Sequence, residues 1–447
     1  MHVIVVGAGE VGSYLAERLS REGHNVVVID PDGRRLADVA ERLDVLTLAG
    51  SGTQPSTLKE AGIARCDVFV AVTSTDEVNL VACFLAHQAG AHRTIARLEE
   101  RELRERGADG LHAAMGIDLV IDPDEETAQE IFELLEYPGA IDVAEMGGGE
   151  VVVIGARLTP DSPVVGQTLS DIARRYEPEW DFLFGIITRQ GQTIIPRGDH
   201  RLEVNDLVRV LTKKRAGRQL TEVLGIERRS LKRIMLLGGG RTAELVATRL
   251  VESGADVTIV ERDPERARQL AERVSKALVI EGEITDADLL ADVGVGRTDV
   301  VAALTGEDDA NILACLFAKL EGAGETIAVV HRLSLLRLLD EAGIDVALSP
   351  RTASANGVLR FVRGGVTQVT TFLEGDVEVL ELSVAEGSPA DGSLVSELRL
   401  PKDVLLGAIV RDGKVSIARG RSDLRNHDDV VVFAMPHAVD EVRRVFG

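Results

Sequence analysis

The sequence predicts an α/β protein: two Rossmann-type doubly wound parallel-sheet domains, each followed by a small α+β domain. Three observations carry that prediction. Short β-branched runs alternate with helical stretches over the first ~120 residues, the mark of βαβ units. A glycine-rich turn joins the first such run to the first helix. The pattern then recurs along the chain at a nearly constant spacing.

The chain opens on VIVV, an apolar strand that runs into Gly7-Ala8-Gly9-Glu10-Val11-Gly12 and then a helix. Further strands are read at VVVI, DVLTL, VFVAV, RTIAR and DLVID. After Pro123, DEETAQEIFELLEY reads as a helix whose acidic first turn suits the positive end of its dipole. Residues 151–211 read as short strands and turns around one helix, TLSDIARRY. A basic joint follows at 213–233, with eight cations against Glu222 and Glu227; it is read either as a solvated linker or as a surface facing a membrane or partner.

The second half repeats this order. Gly238 follows Gly7, and Glu261 follows Asp30, by 231 residues; the spacing becomes 232 from Gly50/Gly282 through Asn79/Asn311 to Cys83/Cys315. The tails match as well: SPVVGQTLSDI (from Ser162) with SPADGSLVSEL (from Ser388), and RLEVNDLVRVL (from Arg201) with DLRNHDDVVVF (from Asp423). A duplication of a two-domain unit gives expected domains at 1–123, 140–215, 230–350 and 373–447.

Composition narrows the function. The chain has 447 residues, which at roughly 100–200 per domain suits two to four domains. A net charge of −23 argues against a nucleic-acid binder, whose phosphate contacts need clustered cations. No run approaches 18 apolar residues, and the N-terminus is already a strand rather than a leader, so a soluble, cytoplasmic protein is expected. Cys66, Cys83 and Cys315 each sit in an apolar run and are expected as small buried hydrophobes.

The glycine turn is the chemical signal. Gly7 permits the tight turn, Gly9 lets backbone approach a pyrophosphate, and Gly12 lets the helix pack so that its N-terminal amides face phosphate. Asp30, closing the second strand, is placed to accept from ribose hydroxyls and to repel a 2′-phosphate, which favours NAD(H) over NADP(H). The second turn, Gly238-Gly239-Gly240-Arg241-Thr242-Ala243 with Glu261, repeats the pattern; Arg241 would either contact phosphates or plug the site. After the fourth strand of each copy, Thr73-Ser74-Thr75-Asp76-Glu77-Val78-Asn79 and Thr305-Gly306-Glu307-Asp308-Asp309-Ala310-Asn311 lead into helices, as ligand contacts or as plain caps. Arg97 and its counterpart Arg332 are read as phosphate contacts or as surface ion-pair partners. No catalytic constellation appears: the nine His are scattered, and no HExxH, P-loop or nucleophile elbow is present. The dinucleotide reads as a signal rather than a reagent.

These residues resemble the TrkA family, peripheral regulatory subunits of bacterial Trk potassium uptake systems built from units called KTN or RCK domains. The resemblance spans the whole chain. It rests on GAGEVG with Asp30, on AVTSTDEVN through Cys83, on GGGRTA with Glu261, and on SPVVGQTL…RQGQTIIPRGDHRLEVNDLVRVL, in which Pro196-Arg197-Gly198-Asp199 with Asn205-Asp206 is the strongest signature. Departures are Ser51 where an acid usually follows Gly50 (Glu283 keeps it in the second copy), Glu99 for a second Arg, and Ala418-Arg419-Gly420-Arg421 in the last domain.

The resemblance implies a cytoplasmic, nucleotide-sensing regulator, peripheral on the inner face of the membrane, that binds NAD(H), or ATP or ADP. It implies a homo-oligomer, expected as a tetramer, gating a TrkH- or TrkG-type membrane potassium transporter. Candidate cofactor-binding residues are Gly7, Ala8, Gly9, Glu10, Val11, Gly12, Asp30, Ser51, Gly52, Thr53, Thr73, Ser74, Asn79 and Arg97, with Gly238, Gly240, Arg241, Thr242, Glu261, Glu283 and Thr305 in the second copy. No catalytic or metal-binding residue is expected. The rival classes are an NAD-dependent oxidoreductase, supported by turnover of NADH with a small substrate, and an empty scaffold, supported by indifference to every nucleotide.

Overall fold

In the computed structural model, which describes residues 1–104, 109–177, 181–226, 231–362, 366–371 and 377–447, the first strand, β1 (His2–Val6), is almost entirely buried. Such a run has no polar face and needs cover on both sides, which is how a central parallel strand reads. It is followed by α1 (Glu10–Arg21), β2 (Asn25–Asp30), α2 (Gly33–Arg42), β3 (Leu46–Ala49), α3 (Pro55–Glu60), β4 (Val68–Ala71), α4 (Asp76–Gln88), β5 (Arg93–Arg97), α5 (Arg101–Arg104), α6 (Asp109–Met115) and β6 (Leu119–Ile121). The sheet order is β3-β2-β1-β4-β5-β6, all parallel. The order reverses between β1 and β4, so the loops at their carboxyl ends part and leave a crevice.

After α7 (Pro123–Glu136), the first small sheet is built from β7 (Asp142–Met146), β8 (Val151–Arg157), α8 (Leu169–Tyr176), β9 (Phe182–Arg189), β10 (Gln192–Ile194) and β11 (Leu207–Lys213), with α9 (Gly217–Leu224) behind it. Its order, β10-β9-β11-β8-β7, is antiparallel throughout.

The second half repeats both. Its parallel sheet uses β12 (Arg233–Leu237), α10 (Arg241–Glu252), β13 (Asp256–Glu261), α11 (Pro264–Arg273), β14 (Leu278–Glu281), α12 (Ala287–Asp292), β15 (Val300–Ala303), α13 (Asp308–Glu321), β16 (Glu325–Val329), α14 (Leu336–Ala342) and β17 (Val346–Leu348), in the order β14-β13-β12-β15-β16-β17. Beyond α15 (Pro350–Val362) come β18 (Val366–Thr371), ahead of residue 373, then β19 (Glu378–Ser383), β20 (Val404–Arg411), β21 (Lys414–Ile417), β22 (Asp429–Ala434) and α16 (Val439–Phe446). The fold class is therefore the expected one: two Rossmann-type sheets and two small α+β sheets.

The helices after the Rossmann units are exchanged. Ala355, Val358, Leu359 and Val362 of α15 are buried with Val3, Val5, Val68 and Val70 of the first sheet. Ala128, Ile131 and Leu134 of α7 are buried with Ile234, Leu236 and Val300 of the second. Arg93 fastens the end of α15, its guanidinium donating to the carbonyls of Phe361 (2.7 Å) and Val362 (2.9 Å), which lie in a last turn that has no helical partners of its own.

The small sheets share a core of their own. Met146, Val153, Ile186 and Leu211 pack with Val379, Ala408, Val431 and Phe433. Phe433 is admitted by two glycines: a Cβ at Gly185 would fall 2.2 Å from its ring, and one at Gly407 3.0 Å. Gly147 N–H donates to Glu381 at 2.6 Å, and burial pushes that carboxyl above its ordinary range.

The joint at 213–233 is not the solvated linker of the first reading. Lys213 pairs with Asp181 at 2.5 Å and Lys214 with Glu145, while Leu220, Val223 and Leu224 of α9 are buried in the first small core. The segment is a packed amphipathic helix with charged flanks; residues 227–230 lie outside the described residues. The three cysteines are buried as expected, and burial pushes the Cys66 and Cys315 thiols up to about 12.

Candidate nucleotide site

Each glycine of the first turn has a separate reason. Gly7 has φ +107°, a left-handed conformation that disfavours side chains, and a Cβ there would stand 3.1 Å from the Val72 carbonyl. At Gly12 a Cβ would fall 1.8 Å from the Gly7 carbonyl oxygen, so α1 crosses the turn at backbone contact. Gly9 is different: a Cβ would meet nothing within 4 Å. No protein contact requires glycine there, and the open space lies over the start of α1, which carries no side-chain cap. Uncapped first-turn amides beside an open glycine fit a phosphate-bearing ligand. In the second copy, Gly240 is equally open, with only the Leu304 carbonyl at 3.9 Å, and α10 also lacks a side-chain cap.

Asp30, 5% exposed, is tied to the backbone. Its Oδ2 accepts from Ala8 N–H (2.6 Å) and its Oδ1 from Asp32 N–H (2.8 Å). Glu261 does the same with Gly239 (2.6 Å) and Asp263 (2.8 Å). The acid thus shapes the turn first, and each oxygen keeps a lone pair for a hydroxyl. Ala8 and Val11 are core residues.

Across the crevice, Asn79 is fully buried. Its Oδ1 accepts from Thr73 N–H (2.9 Å) and Thr73 Oγ1 (2.7 Å), and its Nδ2 donates to the carbonyls of Thr73 (3.0 Å) and Arg97 (2.8 Å). Asn311 repeats the brace with Thr305 and Val329. This brace ties the end of β4 to the end of β5. Asp76 accepts from Glu99 and Glu100 N–H (2.8 and 2.7 Å), and Arg97 pairs with Glu99, the ion-pair reading of that arginine. Ser51 and Thr53 hydroxyls meet at 2.7 Å, and a Cβ at Gly52 would strike Val6 at 2.4 Å. Ser74 is exposed at the rim.

In the second copy, burial pushes Asp308 up, but the amides of His331 and Arg332 and the Arg332 guanidinium outweigh it and hold the carboxyl below its ordinary range. A carboxyl with a lowered folded pKa stabilises above its unfolded value, near 3.9, and that contribution is lost as pH falls through the folded one. Asp308→Asn is therefore expected to cost about 1–3 kcal/mol at neutral pH and to flatten the acid limb of a stability curve below about pH 4. Denaturant melts across pH check it.

Sequence reasoning missed three features. Arg262 reaches Glu307 (3.0 Å) and Glu283 (3.8 Å) across the mouth of the second crevice, where the first copy has Pro31, Thr75 and Ser51. Arg266 donates to the Gly239 carbonyl (2.7 Å) and to Glu244 (2.7 Å), latching the second turn from outside. Paired charges within one copy, absent from the other, were the available signal. The third is Arg351, from the first turn of α15, which forms an ion pair with Glu10 at the start of α1. No local pattern announces a contact so distant in the chain. The signature around Asn205-Asp206 is structural: Asp206 accepts from Arg189 at 2.7 and 2.8 Å, as Asp428 does from Arg411.

Among the described residues no group of His, Cys, Asp and Glu could hold a metal ion, and no helix is long and apolar enough to cross a membrane. The TrkA-N domain family matches residues 3–123 and 234–350, and the TrkA-C domain family matches 153–225 and 379–447. The chain is 35% identical over 445 residues to the Trk system potassium uptake protein TrkA of Halomonas elongata, covering 98% of this chain and 95% of the relative. The protein of the same name from Haemophilus influenzae is 33% identical over 454 residues, covering 100% and 98%. Among solved structures, the GsuK RCK domain superposes with a TM-score of 0.61 at 17% identity, covering 100% of this chain and 94% of that one. The GsuK channel bound to NAD gives 0.61 at 17%, covering 100% and 78%. At that identity the likeness is one of fold.

Proposed function

The chain belongs to the TrkA family, and from that premise we propose that it is a nucleotide-sensing regulatory subunit of a potassium uptake system. The first glycine turn is the primary site, and the observation that carries it is Gly9, with room for a ligand atom where its Cβ would stand, beside the uncapped amides of α1. NAD(H) is the ligand of choice, since Asp30 disfavours a 2′-phosphate; ATP or ADP would use the same phosphate cradle. When bound, the group supplies charge and shape at the crevice rather than hydride chemistry. The cited relatives are named for potassium uptake and not for a reaction.

Closure around nucleotide would then bias a membrane potassium transporter of TrkH or TrkG type from the inner face of the membrane. A ligand does so only by its difference in affinity between two states of the assembly. In the second copy the Arg262 bridge and the Arg266 latch would have to yield first.

The test is thermal unfolding of nucleotide-free protein titrated with NADH, NAD, ATP and ADP. A ligand at 100-fold its Kd is expected to stabilise the native chain by about 2.7 kcal/mol. Asp30→Ala should remove most of that gain and Glu261→Ala less of it. No shift with any nucleotide would overturn the reading in favour of an empty scaffold.

We further infer self-assembly through α13, which presents Leu313 and Leu320 at 60% and 85% exposure, with Leu338 of α14 at 57%. Two residues seven apart lie on one helical face, and a row of bare leucines is what a second copy would cover. Leu320→Glu is expected to lower the mass measured by light scattering while leaving the melting temperature of the subunit nearly unchanged.

A further inference from the structure

The first site receives one side chain from far along the sequence. Arg351 stands in the first turn of α15, whose buried face lies on the first sheet, and it meets Glu10, the first residue of α1. Arg351 is 9% exposed; its Nη2 is taken by the Glu10 carboxylate, while its Nε is buried without a hydrogen-bond acceptor. Burial pulls the guanidinium down to about 10, which leaves it charged at neutral pH. The Glu10 side chain, by contrast, is 53% exposed and free to turn to solvent.

A buried guanidinium with an unused Nε–H, held by one half-exposed carboxylate, is costly, because a buried donor without an acceptor goes uncompensated. Its partner Glu10 is the first residue of α1, next to Gly9, where the helix start has no side-chain cap and a Cβ would meet nothing within 4 Å. A planar fork of donors matches phosphate oxygens in pairs, and charge-assisted bonds of that type are the strong ones. Glu10 is the wrong charge for a phosphate site, but it is a suitable placeholder for the anion when no ligand is present.

We propose that Arg351 binds the diphosphate group of the nucleotide in the first site, exchanging Glu10 for phosphate. This rests on the reading that the first turn binds nucleotide, and it adds a residue and a route. Because α15 is continuous with β17, a phosphate that holds Arg351 holds the chain that leaves the second Rossmann unit. The first site is thereby read by the second half of the protein.

Calorimetric titration of the full chain with ADP, NADH and adenosine tests this. Arg351→Ala is expected to weaken ADP and NADH by roughly tenfold to a hundredfold, with adenosine unchanged, and Arg351→Lys to restore part of the loss. Glu10→Gln should tighten ADP several-fold, since it removes both a competitor for Arg351 and a repelling charge. Equal ADP affinity in wild type and Arg351→Ala would overturn the proposal while leaving the nucleotide reading intact. If Arg351→Ala fails to fold, Glu10→Gln decides, and an unchanged ADP affinity there overturns it. Absence of any nucleotide binding by wild type would remove the underlying reading first.

Discussion

Gly12→Val is expected to unfold the first Rossmann sheet, whereas Gly9→Ala leaves the fold intact and removes only the ligand. At Gly12 the obstructing atom is the Gly7 carbonyl oxygen, 1.8 Å from any Cβ, and backbone cannot swing aside as a side-chain tip can. α1 would have to lift from β1, opening the core around Leu15, Ala16 and Leu19, and a cost beyond about 3 kcal/mol follows. Gly9 has φ −73° and open space around it, so alanine meets neither strain nor clash from the protein. A methyl group in that space instead occupies the approach of a phosphate. Denaturant unfolding and NADH titration of the two variants should separate cleanly. Loss of stability in Gly9→Ala, or retained NADH binding, would mean that the space serves something other than a ligand.

The second large effect is expected at Arg209→Met. Arg209 is 1% exposed and its Nε and Nη2 donate to Asp142 at 3.0 and 2.7 Å. Removing Arg209 leaves Asp142 without its partner; because the Asp142 side chain is 21% exposed, the expected cost lies at the low end for such pairs, about 3 kcal/mol. Gly155, paired opposite Asp142, belongs to the same arrangement, because a Cβ there would fall 1.9 Å from the carboxylate. The second copy manages without it: Val431 stands where Arg209 does, and Gln368 where Asp142 does. Arg209→Met with Asp142→Leu should therefore recover much of the loss, and a double-mutant cycle on unfolding free energy measures the difference.

Much of this was legible in the sequence, for identifiable reasons. A buried parallel strand must be continuously apolar and a phosphate turn must be glycine-rich, so VIVV followed by GAGEVG carries its fold and its chemistry together. The 231-residue spacing carried the duplication. What a helix packs against is another matter: the apolar stripes of α7 and α15 would look the same on either sheet, and the exchange left no trace in periodicity. In α9 the flanking charges hid a stripe at Leu220, Val223 and Leu224. Asn79 and Arg97 share polar chemistry with ligand contacts, so the brace between the strand ends and the ion pair with Glu99 could not be read from residue type alone.

The exchange of α7 and α15 also sets a clock. The strands of the first sheet are complete at Ile121, but the helix that covers Val3, Val5 and Val70 ends at Val362, about 240 residues later. At about 5–20 residues per second, the ribosome needs roughly 10–50 s to deliver it. For that interval the part of the sheet face that α1 and α2 leave to α15 stays uncovered. A first half made alone would lack Ala355, Val358, Leu359 and Val362 from that core and should be less stable than the first sheet within the full chain.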